Sequence, residues 1–164
     1  MDHKLLSIYL NDHLAGATAG RELARRAAGS NPEGELGSFL TRLAEEVEED
    51  RQALISLMAR LEVPEDRVKQ VAGWGAEKAG RLKLNGRLIG YSPLSRVTEL
   101  EALVLAVTGK LALWRALERL AESEPRIGQA IELPAYIARA EAQLAGLEPH
   151  RLEAVHDAFA QVRA

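Results

Sequence analysis

The sequence predicts an all-α protein, a bundle of long helices forming one domain over residues 1–164. Three stretches carry that expectation. Residues 35–62, ELGSFLTRLAEEVEEDRQALISLMARLE, place Leu36, Leu40, Leu43, Val47, Leu54, Met58 and Leu61 on one stripe when each residue turns the helix by about 100°. Residues 2–28 are rich in alanine, the best helix former, and put Leu5, Tyr9, Gly16, Gly20, Leu23 and Ala27 on a shared face. Residues 94–121 are apolar on nearly all sides between Ala102 and Trp114, the pattern of a buried central helix.

Each boundary has a local cause. The first helix ends at Gly29, and Ser30-Asn31-Pro32-Glu33 restarts the chain, with Ser30 and Glu33 at capping-box spacing or Asn31 capping a helix that begins on proline. So short a loop makes the first two helices antiparallel. Gly16 and Gly20 each cost about 1 kcal/mol in a helix interior. The spacing suggests that a neighbouring helix approaches their backbone closely.

The second helix closes at Val63-Pro64. A third segment is expected from Pro64 to a glycine-type stop at Asn85-Gly86, weakened by Trp74 between two glycines. Residues 88–93 read as a loop packed on the bundle, with Ser92 capping the next helix and Pro93 starting it. Beyond residue 121, Pro125, Pro134 and Pro149 divide the tail into a turn near 127–131, a helix over about 134–147, and a last helix from Glu148-Pro149 with a Leu152, Val155, Phe159 and Val162 stripe.

Composition narrows the chemistry. With 164 residues the chain buries roughly 70% of its unfolded surface without covalent staples. The absence of cysteine removes thiolate metal sites and thiol nucleophiles, and fits a reducing compartment, so a cytoplasmic location is expected. A net charge of −3 gives no electrostatic case for nucleic acid or a membrane surface. The uncharged run 102–109 is far short of the roughly 20 residues of a spanning helix. Lys4 followed by LLSIYL imitates a secretion signal only faintly, because Asn11, Asp12 and His13 interrupt it. Residues 33–62 carry eight acids against three arginines, and residues 65–96 seven bases against three acids, as complementary faces of adjacent helices do.

The residue that breaks the pattern is Asp50, an acid in the apolar stripe of the second helix. It should be buried and hydrogen-bonded, with Arg51, Arg115 or His13 as partners. Glu46 lies one turn before it. Glu101, sharing a strip with Val97, Val104 and Leu111, reads as a second inward acid, and Asp12 and His13 stand on the shoulders of the first helix's apolar face.

Two antiparallel helices, the second with an acid-rich middle LAEEVEEDRQAL at 43–54, then a longer connection and two further arms, resemble a ferritin-like bundle of the rubrerythrin or bacterioferritin kind. The arrangement covers about the first 120 residues and the motif only residues 43–54. The resemblance implies an up-down helical bundle, here with extra C-terminal helices. In that family two irons lie between four helices, held by a Glu from each of two and a Glu-x-x-His from each of the others. This chain departs from the motif. Val47 stands three before Asp50, Glu46 pairs with Glu49, the 94–121 helix offers Glu101 without a histidine, and Glu153-x-x-His156 lies near the C-terminus.

Two functions of different classes follow. In one, the chain is a non-catalytic ferritin-like bundle without cofactor, working through a protein partner or as a homo-oligomer. In the other, Asp12, His13, Glu46, Asp50 and Glu101 bind iron or another divalent metal in a reduced oxygen-chemistry site. No phosphate loop, nucleophile elbow, His-Glu-x-x-His or EF-hand loop is present in the sequence.

Overall fold

The computed structural model describes residues 2–66 and 91–160. Among these are five helices: α1 (His3–Ser30), α2 (Gly34–Arg60), α3 (Pro93–Ala121), the short α4 (Pro125–Ala130) and α5 (Leu133–Phe159). No strand occurs among the described residues. The helical segment expected within 64–86 lies outside them from residue 67 on, as do residues 88–90 of the expected loop.

The helix ends show why the chain turns where it does. Asp2 caps α1, its carboxylate accepting from the backbone N–H of Lys4 and Leu5 at 3.0 and 3.1 Å. Ser92 caps α3 as its sequence suggests, accepting from Ser95 N–H at 3.1 Å. At the end of α2, Val63 N–H reaches Met58 C=O at 2.9 Å and Glu62 N–H reaches Ala59 C=O at 3.1 Å. That double closure puts Glu62 at φ 58°, and Val63 and Met58 join one apolar cluster beneath it.

Two boundaries differ from expectation. Neither Ser30 nor Asn31 caps α2. Glu33 holds that position without a side-chain bond, and Asn31 instead closes α1, its Nδ2 donating to Ala27 C=O at 2.9 Å. Nor does Pro149 end a helix, because α5 runs through it. Proline costs roughly 3 kcal/mol or more in a helix interior. Here Ala140 and Leu147 before it and Ala154 after it are buried in one core cluster, so tertiary packing carries the helix across.

Four long helices pack in a ring. Arg26 of α1 meets Glu99 of α3 at 2.8 Å, Gly20 faces Ala106, Phe39 of α2 lies on His150 of α5, and Arg151 of α5 reaches Glu101 of α3 at 3.8 Å. These pairings make α1 antiparallel to α2 and α3, and α5 antiparallel to α2 and α3, leaving α2 and α3 parallel on the diagonal. The chain leaves α2 at one end of the bundle, beside Asn11, and enters α3 at the other, beside Asn31, about 30 Å away by the helical rise between those two residues of α1.

Two buried asparagines pin those points. Asn11 donates to Ser7 and Pro64 C=O at 3.0 Å each and accepts from Asp66 N–H at 2.6 Å. Asn31 donates to Tyr91 Oη at 2.9 Å and accepts from Arg96 Nε at 2.8 Å. One apolar cluster, with Leu23, Leu40, Leu43, Leu100 and Leu147, fills the Asn31 end. A second, with Leu6, Leu10, Leu57, Met58 and Leu117, fills the Asn11 end.

Candidate functional site

Between the two apolar clusters the interior turns polar. Asp50 retains the stripe position that its spacing implies and is only 3% exposed. An ionised carboxylate there requires partners, and they come from α3 and α5. Lys110 Nζ donates to Oδ2, and Arg139 Nη1 donates to Oδ1 at 3.1 Å. Arg139 also reaches Glu49 Oε2 at 2.9 Å. Lys110 donates a second bond to Gln143 Oε1 at 2.5 Å, and Gln143 Nε2 donates to Glu46 Oε2 at 2.7 Å. Burial pushes the Lys110 pKa below the ordinary lysine value, against the pull of Asp50.

The Asp50 partners expected from sequence are engaged elsewhere. Arg51 Nε donates to Thr18 Oγ1 at 3.3 Å, Arg115 pairs with Glu141 at 2.7 Å, and the ring of His13 lies edge-on to Tyr9 with centroids 4.6 Å apart. The groups that do hold Asp50 carry a sequence signal. Lys110 continues the buried Leu103–Val107–Trp114 register of α3, and Gln143 falls between Ala140 and Leu147 of α5. A lysine and an amide on core registers are the counterparts of a lone core acid.

The five candidate metal ligands do not gather. Asp12 is exposed on α1, His13 is half-buried, and Glu46 and Asp50 share the network on α2. Glu101 corrects its reading as an inward acid. It stands on the exposed strip of α3 with Leu105, Thr108 and Arg115, a helical step of 40° off the buried Val97. Among the described residues, no three His, Asp or Glu side chains are grouped so as to hold an ion. Glu153 and His156 are both exposed, and Leu152 and Phe159 of the expected last stripe face outward while Ala154 is buried.

Beside the network a cavity of about 320 Å³ opens between α1 and α3, with α2 as its floor. Gly16, Ala17 and Gly20 line it from α1, Ala106, Gly109 and Lys110 from α3, and Asp50 and Leu54 from beneath. Gly20 has the close neighbour anticipated from spacing, with Ala106 Cβ 3.6 Å from where its own Cβ would stand. Gly16 does not: nothing lies within 4 Å of that point, nor within 4 Å of the same point at Gly109. Burial lowers the His13 pKa against an opposing pull from Asp12, so the imidazole at the cavity wall is neutral at pH 7.

No protein-family model, curated protein or solved structure matches this chain.

Proposed function

We propose that this chain is a ferritin-like helical bundle that works by binding, through a protein partner or a second copy of itself, and that its interior acids serve a fixed ion-pair network rather than a metal centre. The ferritin-like assignment is supported by the order of helix directions: antiparallel α1 and α2, one long crossover, then parallel entry into α3, as ferritin-like bundles have. The observation that carries the functional reading is the state of Asp50, whose two carboxylate oxygens are taken by Lys110 and Arg139.

A divalent ion requires several oxygen or nitrogen ligands within about 2.0–2.6 Å. Here two cationic side chains stand where such an ion would meet Asp50, and Glu46 is tied to Gln143. The donor set therefore does not fit an iron pair. A binding role through the outer faces draws support from Leu5 and Ile8, one turn apart on α1, and from Leu152 and Phe159 on α5, all four exposed.

Elemental analysis of protein purified without added metal tests this reading, alongside light scattering for its mass in solution. Sub-stoichiometric iron, manganese and zinc is the expected result. Stoichiometric metal surviving dialysis and lost in Asp50→Ala contradicts it.

A further inference from the structure

We propose that the cavity between α1 and α3 is a binding site for a small, uncharged, largely apolar molecule bearing one hydrogen-bond-accepting oxygen. This goes beyond the preceding reading and rests on it only in taking Asp50 and Lys110 as a fixed pair.

The first argument is the room. A glycine in a helix interior costs about 1 kcal/mol against alanine, and close helix approach is the usual return. Gly20 has that approach, with Ala106 at 3.6 Å. Gly16 and Gly109 open onto empty space on opposite walls of one cavity. There the missing side chains leave the space between the helices unfilled instead of bringing them together. The volume of about 320 Å³ lies at the lower end of ligand cavities, roughly 300–1,000 Å³.

The second argument is charge. The ionised groups of the wall are Asp12 and Asp50 against Arg51 and Lys110, two of each sign, and His13 is neutral at pH 7. A charged ligand would enter an already balanced set and remain unpaired at a desolvation cost. The apolar part of the wall, Leu54, Leu103, Val107 and Leu113, suits a hydrocarbon body.

The third argument is the anchor. An ammonium has three N–H donors. Asp50 and Gln143 take two from Lys110, and among the described residues no acceptor is recorded for the third. Lys110 lines the cavity and keeps 14% of its side chain exposed. A ketone, ether or hydroxyl oxygen would complete its coordination without disturbing the pair.

Acetophenone, ethylbenzene and benzoate share one skeleton and differ in acceptor and charge, so amide chemical-shift titration with the three probes separates the arguments. Acetophenone should shift the amides of Ala17, Gly109 and Lys110 and bind about tenfold tighter than ethylbenzene, the value of roughly one hydrogen bond. Benzoate should not saturate. Gly16→Leu should abolish both neutral ligands, with Gly109→Leu as the second filling variant if the first does not fold. Lys110→Met should remove the preference for acetophenone over ethylbenzene while ethylbenzene still binds, and Lys110→Met with Asp50→Leu serves if the single variant unfolds.

The proposal is overturned if acetophenone leaves the cavity amides unmoved, if benzoate binds equally well, or if both filling variants still bind. It is also overturned if the protein is a dimer that Gly16→Leu dissociates and neither neutral probe binds, since a second copy then occupies the groove. Retained metal in the elemental analysis would contradict the preceding reading while leaving this titration to be judged alone.

Discussion

The seam between α2 and α5 and the seam between α1 and α3 use the same materials, glycines and a few charged residues, to opposite ends. In the first, Gly146 makes room that Phe39 fills: a Cβ at Gly146 would stand 2.5 Å from the Phe39 ring, and the His150 ring packs against it at a tilt, with centroids 5.1 Å apart. Along the same seam Arg139 and Gln143 of α5 bind Glu46, Glu49 and Asp50 of α2. In the second, contact at Gly20 and Ala106 gives way to open space at Gly16 and Gly109. A small residue in a helix therefore marks either a close approach or a void, and the partner across the seam decides which. Lys110 belongs to the open seam by position and to the filled one by its bonds.

The comparison is broken most strongly at Asp50. Asp50→Leu leaves the Lys110 ammonium buried without its counter-ion, and removing one partner of a buried pair costs about 3–5 kcal/mol. Denaturant unfolding should show a loss of that size. A neutral outcome would mean that the network is solvated and that the filled seam is held by packing alone.

Replacing one glycine on each seam sharpens the contrast. Gly146→Leu must displace the Phe39 ring and should cost on the order of 1–3 kcal/mol by overpacking. Gly16→Ala meets nothing within 4 Å and should raise stability by up to about 1 kcal/mol through helix propensity. Thermal melts of the two variants should move in opposite directions, and movement in the same direction would erase the distinction between the seams.

The smallest effect is a pH dependence at the open seam. Burial depresses the His13 pKa in the folded chain, so the folded state binds fewer protons than the unfolded state, whose imidazole titrates near 6.5. This contribution is complete above about pH 6.5 and is lost as the pH falls through the folded value. The imidazole resonances of His13 should titrate below 6.5, and His13→Gln should flatten the decline in stability on acidification. A His13 titration at or above 6.5 would place the ring in solvent.

Much of this architecture was legible in sequence, for identifiable reasons. The apolar stripe of α2 set that helix, Ser92-Pro93 set a boundary, and the interruption by Asp50 marked the polar layer. By contrast, the α1 face expected through Leu5, Tyr9 and Gly16 gives way to Leu6, Leu10 and Leu14, and α3, expected as a buried central helix, exposes Leu105 on its outer side. What remained hidden was pairwise. The stripe of α2 does not say which helix lies across from Asp50, so local candidates such as Arg51 stood in for Lys110 and Arg139, which are remote in sequence. Glu101 lay within 40° of the buried Val97, and one helical step separates an inward acid from an exposed one. Pro149 looked like a stop because local rules weigh the lost N–H, whereas the buried residues on either side of it outweigh that loss.

The central claim, that a fixed Lys110–Asp50 pair holds the middle of the bundle, is tested most directly by a double-mutant cycle of Asp50→Leu and Lys110→Met in chelator-treated protein. The account predicts that each single variant is strongly destabilised and that the double variant loses less than the sum of the two single losses, by a coupling on the order of 1–3 kcal/mol. Additive losses within about 0.3–0.5 kcal/mol would mean that the two side chains do not sense each other and would contradict it.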